Sequence, residues 1–166
     1  MIALSAVISF VVALLLHELG HWIAARFCSV PVNEIGLGWG PRVYTFSFRN
    51  IGYSVRMLPL GAYVRMDMQA LQRRPLVQQL FVLGAGIVVN LVLSVIFAGT
   101  IFGALNLGLA IGNILPFYQH DGWKSGIVVF RKLFGRPSPI VEWSFTLFGG
   151  LICAALLAGA FLKFWS

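Results

Sequence analysis

Between Arg74 and Asp121 the chain carries no Asp, Glu, Lys or Arg. About 20 apolar residues span the hydrocarbon of a bilayer as a helix, so this stretch can cross twice with a tight turn between the crossings. Composition agrees. Of 166 residues, 59% are hydrophobic and 10% charged, against roughly 25% charged in an average soluble domain. The length suits one domain, and a chain so poor in charge is ill equipped to face water on all sides.

The net charge of +7 invites a nucleic-acid reading. Its distribution argues otherwise. Seven of the twelve basic residues lie from Arg26 to Arg74, four from Lys124 to Arg136, and Lys163 stands alone. With alternating crossings, both basic segments fall on one side, the positive-inside pattern of membrane proteins. That places the N- and C-termini outside and both basic segments inside. Met1–Leu16 is apolar but has no Lys or Arg, so it lacks the basic start of a signal peptide. Cys28 and Cys153 offer neither a disulfide framework nor a metal spacing and read as small buried apolar residues.

The expected fold is an α-helical polytopic membrane protein with about four transmembrane helices and a small membrane-associated antiparallel sheet between the first two. The crossings are read at 2–26, 77–102, 109–132 (interrupted by Pro116 and Gly122) and 141–164, with a turn at 103–108. Residues 32–66 differ. Gly36, Gly38, Gly40 and Pro41 punctuate them, and RVYTFSF then alternates, with Tyr44, Phe46 and Phe48 on one face. Asn50 and Gly52 mark a turn, YSVRML resumes the alternation, Pro59–Gly61 breaks it, and AYVRM reads as a further strand. Period-two patterns bounded by turn residues indicate antiparallel strands. Open sheet edges cannot face lipid, so this sheet lies at the inner interface or is shielded by helices. No internal repeat is evident, and the whole chain reads as one core, 1–166.

His17-Glu18-Leu19-Gly20-His21 fits H-E-x-x-H. Residues four apart share a helix face, so His17 and His21 can each offer a nitrogen to one cation. Glu18 lies about 100° further round and reaches a water without being a ligand. Three ionisable groups directly after an uncharged apolar run cost several kcal/mol unless paired or wet, which leaves few explanations besides a site. A catalytic zinc usually has three protein ligands and one open position. The third is sought among Glu34, Asp67, His120, Asp121 and Glu142. At 1.5 Å per residue, His17 lies about 24 Å along the first crossing and Asp121 about 20 Å beyond the outer turn, so depth favours Asp121.

On these residues the chain resembles the site-2 protease family of intramembrane zinc metalloproteases, over most of its length. The resemblance rests on HELGH at 17–21, on Asn113-Ile-Leu-Pro116 with Asp121-Gly122, on MLPLGAYVRM at 57–66 and on GIVVN at 86–90. Ile87, Ala62, Tyr118 and His120 depart from the family's usual residues. The resemblance implies one Zn2+ per chain held by His17, His21 and Asp121, with Glu18 activating water. His120 is an alternative ligand or a partner of the ligands. Asn90, Asn113, Gly61 and Tyr63 are implied substrate-binding positions, the last two on the hairpin. The implied function is hydrolysis of peptide bonds in or near transmembrane segments. The implied setting is a bacterial or archaeal cell membrane, with the site towards the cytoplasm. The implied form is a minimal core without a PDZ domain. The implied partners are a transmembrane protein or peptide substrate and the lipid bilayer. An exposed strand edge of the 32–66 sheet could capture an unwound substrate by strand addition; a membrane-surface anchor is the other reading of that sheet. A haem- or metal-binding protein, or a metal transporter, is the alternative to a protease. Paired histidines on one helix face cannot ligate a haem from both sides, and a transporter needs ligands spread across the bilayer.

Overall fold

A computed structural model describes residues 2–135 and 138–165 of the chain. Arg136 and the side chains of Cys153 and Lys163, on which part of the charge and cysteine readings rests, lie outside the described residues. The protein is mostly helical with one small antiparallel sheet, and it divides into two compact units, Met1–Ala110 and Ile111–Ser166.

Unit 1 opens with helix α1, Ile2–Phe27, about 39 Å long at 1.5 Å per residue. Its exposed positions include Leu4, Val7, Ile8, Leu15, Leu19 and Ile23. A contiguous apolar exterior of this kind suits hydrocarbon rather than water. The helix ends where Ser29 turns to positive φ and Val30 N–H bonds back to Ala25 O at 2.8 Å. Cys28 is buried, as expected.

Strands β1 (Val32–Phe48) and β2 (Ile51–Met66) follow as one long hairpin. Arg49 and Asn50 both take positive φ between the paired Phe48 and Ile51. Two central residues with φ > 0 match the right-handed twist of the flanking strands. The turn thus sits on Arg49–Asn50, one position ahead of the expected Asn50–Gly52. Nor does Pro59–Gly61 end the strand. Pairing moves from Trp39–Leu58 to Leu37–Ala62, so the extra residues form a bulge, with Gly61 at φ 112°. What reads as a third strand is the continuation of β2. Glu34–Leu37 also lies beside Gly52–Val55, which curls the sheet on itself.

Helix α2 (Met68–Gln72) is capped by Asp67, whose Oδ1 accepts from Gln69 N (2.9 Å) and Ala70 N (3.0 Å). Helix α3 (Leu76–Ile96) packs on α1 through small residues. A Cβ at Gly20 would lie 2.8 Å from Val89 Cγ2 and 3.0 Å from Ala85 O, the close backbone approach that small residues allow between membrane helices. The chain then turns at 97–100, where Gly99 has φ 80°. Thr100 Oγ1 donates to Phe97 O (2.7 Å) and accepts from Gly103 N (3.1 Å). This is an N-cap, and it starts helix α4 (Ile101–Ile114). Residues 103–108, expected as a turn, are therefore helical, and the helix expected as the second crossing stops at Ile96 rather than 102.

Unit 2 holds the end of α4, a non-helical passage over 115–120, helix α5 (Asp121–Phe134) and helix α6 (Pro139–Trp165). Pro116 interrupts the helix, as its missing N–H requires. Gly122 does not. It is helical, and a side chain there would collide with Ile114 O. Among the described residues, Leu4–Phe27 and Leu76–Ile96 are long and apolar enough to cross a membrane, and Ile101–Ile114 and Pro139–Ile152 are shorter apolar stretches.

Candidate metal centre and catalytic base

One face of α1 presents His17 and His21, both buried, with their Nε2 atoms 3.2 Å apart. Two nitrogens bound to one tetrahedral zinc at about 2.0–2.1 Å lie roughly 3.3 Å from each other, so the pair is spaced to share such an ion. His21 Nδ1 lies 2.8 Å from Val82 O of α3. A carbonyl can only accept, so Nδ1 carries the proton and Nε2 keeps its lone pair for a cation. Helix α3 also leaves the room required. A Cβ at Gly86 would lie 2.5 Å from His21 Nε2 and 2.6 Å from His17 Cε1. Gly86 belongs to the GIVVN segment noted in the sequence. Its task of vacating space beside the imidazoles becomes visible only once α3 is seen against α1.

Glu18 is half-buried, and its Oε2 accepts from Val64 N at 2.9 Å. Strand β2 thus fixes the carboxylate through a backbone group, a contact that no residue type in the sequence signals. Beside it lies a cavity of about 400 Å³ lined by Leu15, Glu18, Leu19, Trp22, Tyr63 and Val64 among others. Tyr63 lies across Gly36, where a side chain would overlap its ring. Its hydroxyl donates to Glu34 Oε1 at 2.6 Å. Gly61 forms the β2 bulge against Trp39. Asn90 is fully buried one helical turn beyond Gly86, on the same face of α3, and neither amide atom has a partner among the described residues.

In unit 2, Asp121 is buried at the first position of α5, where the helix dipole favours a carboxylate. Lys124 Nζ lies 3.3 Å from its Oδ1. His120 is half-buried, and its Nδ1 donates to Gly112 O at 2.8 Å, which leaves Nε2 as the acceptor. Asn113 is half-buried near the end of α4.

The remaining acidic groups have other tasks. Asp67 caps α2. Glu142 is exposed in the first turn of α6. Glu34 gathers Tyr63, Ser54 (3.0 Å), Arg42 (3.2 Å) and Arg65 (3.3 Å) on the sheet. The Tyr63 hydroxyl, ahead of Ser54 and the two arginines, holds the Glu34 carboxyl below its ordinary range, against a partial burial that opposes it.

With two imidazoles, an adjacent carboxylate and a glycine clearing space beside them, the site can be compared with known proteins. The model of peptidase family M50 matches residues 5–104, a span that holds the HELGH motif, the hairpin and α3. The chain belongs to peptidase family M50. Membership bears out the resemblance to the site-2 proteases. Among M50 relatives, a Clostridium perfringens protein named provisionally as a zinc metalloprotease is 32% identical over 67% of this chain and 36% of its own length. The chloroplastic membrane metalloprotease ARASP of Arabidopsis thaliana is 28% identical over 68% of this chain and 28% of its own. The zinc metalloprotease RasP of Geobacillus kaustophilus is 39% identical over 38% and 16% respectively. The chain spans about a quarter to a third of the length of the relatives it matches over the longest stretches.

Proposed function

We propose that this chain is the core of an intramembrane zinc peptidase. The single observation that carries this reading is the convergence of His17 and His21 Nε2 at 3.2 Å beside Gly86, with Glu18 adjacent. Family membership and the zinc metalloprotease names of relatives support the choice of metal.

His17 and His21 would hold the ion, one per chain, and Asp121 is the proposed third ligand. Its buried carboxylate supports that choice, as does the engagement of Asp67 and Glu34 elsewhere. His120, with Nδ1 engaged by Gly112 O and Nε2 left as acceptor, is the alternative ligand or an orienting partner. A bound zinc supplies Lewis acidity towards a carbonyl and lowers the pKa of a water to about 7. Glu18, its carboxylate held in place by Val64 N–H, would accept a proton from the attacking water and return it to the amide nitrogen as the C–N bond breaks. Leu15, Leu19 and Trp22 give the cavity beside the carboxylate an apolar lining.

The substrate class we propose is a transmembrane segment of another protein, locally unwound. Its extended backbone would add to the β2 edge near Gly61 and Tyr63, while Val64 N–H stays on Glu18, with Asn90 and Asn113 as further contacts. We further propose four crossings, with both termini outside and the basic segments 26–74 and 124–136 on the cytoplasmic side of a bacterial or archaeal cell membrane.

The test is elemental analysis of the purified chain combined with cleavage of model transmembrane peptides, with and without a chelator. One zinc per chain and chelator-sensitive cleavage are expected. Glu18→Gln should lower turnover by about 10²–10⁴-fold, the usual weight of a general base, and keep the metal. His17→Ala and Asp121→Ala should lose the metal while His120→Ala keeps it. Zinc retained in Asp121→Ala and lost in His120→Ala would reverse the assignment of the third ligand.

A further inference from the structure

Glu142 is not absorbed by the peptidase reading, yet its surroundings are specific. With Tyr118, Trp123, Trp143 and Thr146 it lines a cavity of about 330 Å³ within unit 2, a size suited to a small polar head group. The Tyr118 and Trp123 rings meet edge to face, with centroids 5.1 Å apart and planes at 76°. Tyr118 is 50% and Trp143 67% exposed, so ring surface is open to a ligand. Among the described residues no cation pairs with the Glu142 carboxylate. Lys124 pairs with Asp121, and the Thr146 hydroxyl donates to the Glu142 backbone carbonyl at 2.8 Å rather than to its carboxylate.

Three aromatic rings line the cavity beside one carboxylate; a ring face carries the negative lobe of its quadrupole, and the carboxylate supplies a full negative charge. That set repels anions. A purely apolar guest would strip the carboxylate of water without compensation. A divalent ion would find a single ligand. What the set favours is a cation too bulky and weakly hydrated to prefer water. The helix dipole explains a Glu in the first turn of α6 but not the rings around it. A membrane-interface belt explains Trp and Tyr but not the carboxylate among them. We propose that this cavity binds an alkylammonium group, supplied either by a phospholipid head group or by a free quaternary amine. The proposal does not depend on peptidase activity.

The full chain in a maltoside detergent is titrated with tetramethylammonium chloride, against sodium chloride at matched ionic strength, and tryptophan fluorescence is followed. In parallel, native mass spectrometry compares retention of phosphatidylcholine with that of phosphatidylglycerol. A saturable response to tetramethylammonium is expected. Glu142→Gln and Trp143→Ala should each weaken it by about tenfold or more, while Trp143→Phe, which keeps a ring, retains it. Retention of phosphatidylcholine over phosphatidylglycerol that Glu142→Gln abolishes assigns the lipid as source. A tetramethylammonium response without lipid preference assigns a free amine. A response no larger than that to sodium, one indifferent to Glu142→Gln, or a loss in Trp143→Phe as complete as in Trp143→Ala each overturns the proposal.

Discussion

At the scale of single residues, the absence of a side chain matters as much as the presence of three. His17 and His21 can approach one another at their Nε2 atoms because α3 offers Gly86 at that point. Gly86→Ala adds only a methyl, yet that methyl would stand 2.5 Å from His21 Nε2. The expected outcome is a fall in zinc per chain well below one with the helical content retained, measured by elemental analysis and circular dichroism. Full zinc occupancy in that variant would show that the helices part more easily than their packing suggests. The H-E-x-x-H spacing made the histidines and Glu18 legible in the sequence, because helical geometry alone puts them together. Gly86 was visible only as part of a motif. Its role depends on a contact between α1 and α3, and no periodicity within either helix encodes which turn of one meets which turn of the other.

At the scale of elements, the hairpin is where local pattern and tertiary outcome part. Alternation in 42–48 and 51–56 announced strands correctly, and Phe46 does stack on Tyr53 at 4.9 Å. The break at Pro59–Gly61 proved to be a bulge, because pairing with 32–37 lets the strand resume on the same partner. The second helix turn was misplaced for a related reason. Gly103 and Gly108 look like breakers, but the capping hydroxyl of Thr100 and the positive φ of Gly99 decide where α4 begins. Glu34 ties the bent sheet together, and its carboxyl titrates below the ordinary range. A lowered folded-state pKa contributes stability above the unfolded value and loses it as pH falls through the folded one. Thermal unfolding of the wild type and Glu34→Gln should therefore differ at neutral pH and converge under acid conditions. A gap that persists at low pH would exclude the ionised carboxylate as its source. Val64→Pro removes the N–H that Glu18 uses. A hydrogen bond to a charged group is worth about 1.5–3 kcal/mol, so turnover should fall roughly 10- to 100-fold with zinc unchanged. Cleavage at the wild-type rate would show that the base needs no such anchor.

At the scale of the whole molecule, charge distribution supplies the arrangement to be tested. Single cysteines at Asn50 and Leu133, in a background lacking Cys28 and Cys153, should react with membrane-impermeant maleimide only from the cytoplasmic side. One at Ser5 should react only from the opposite side. Labelling of positions 50 and 133 from different sides would remove the proposed crossing pattern. The uncharged run from Arg74 to Asp121 made apolar helices long enough for a bilayer legible at this scale, and Leu76–Ile96 is one of them. The division into two compact units was not legible, because it depends on contact density rather than on any composition shift.

With Glu18 as the proposed base, its bond to Val64 N–H would give the sheet a share in the timing of proton transfer. A carboxylate moored to a strand travels with that strand, so any tilt of the hairpin changes how far the proton acceptor stands from the imidazoles behind it. Seating of the sheet against its surroundings and readiness of the base are thereby one mechanical variable.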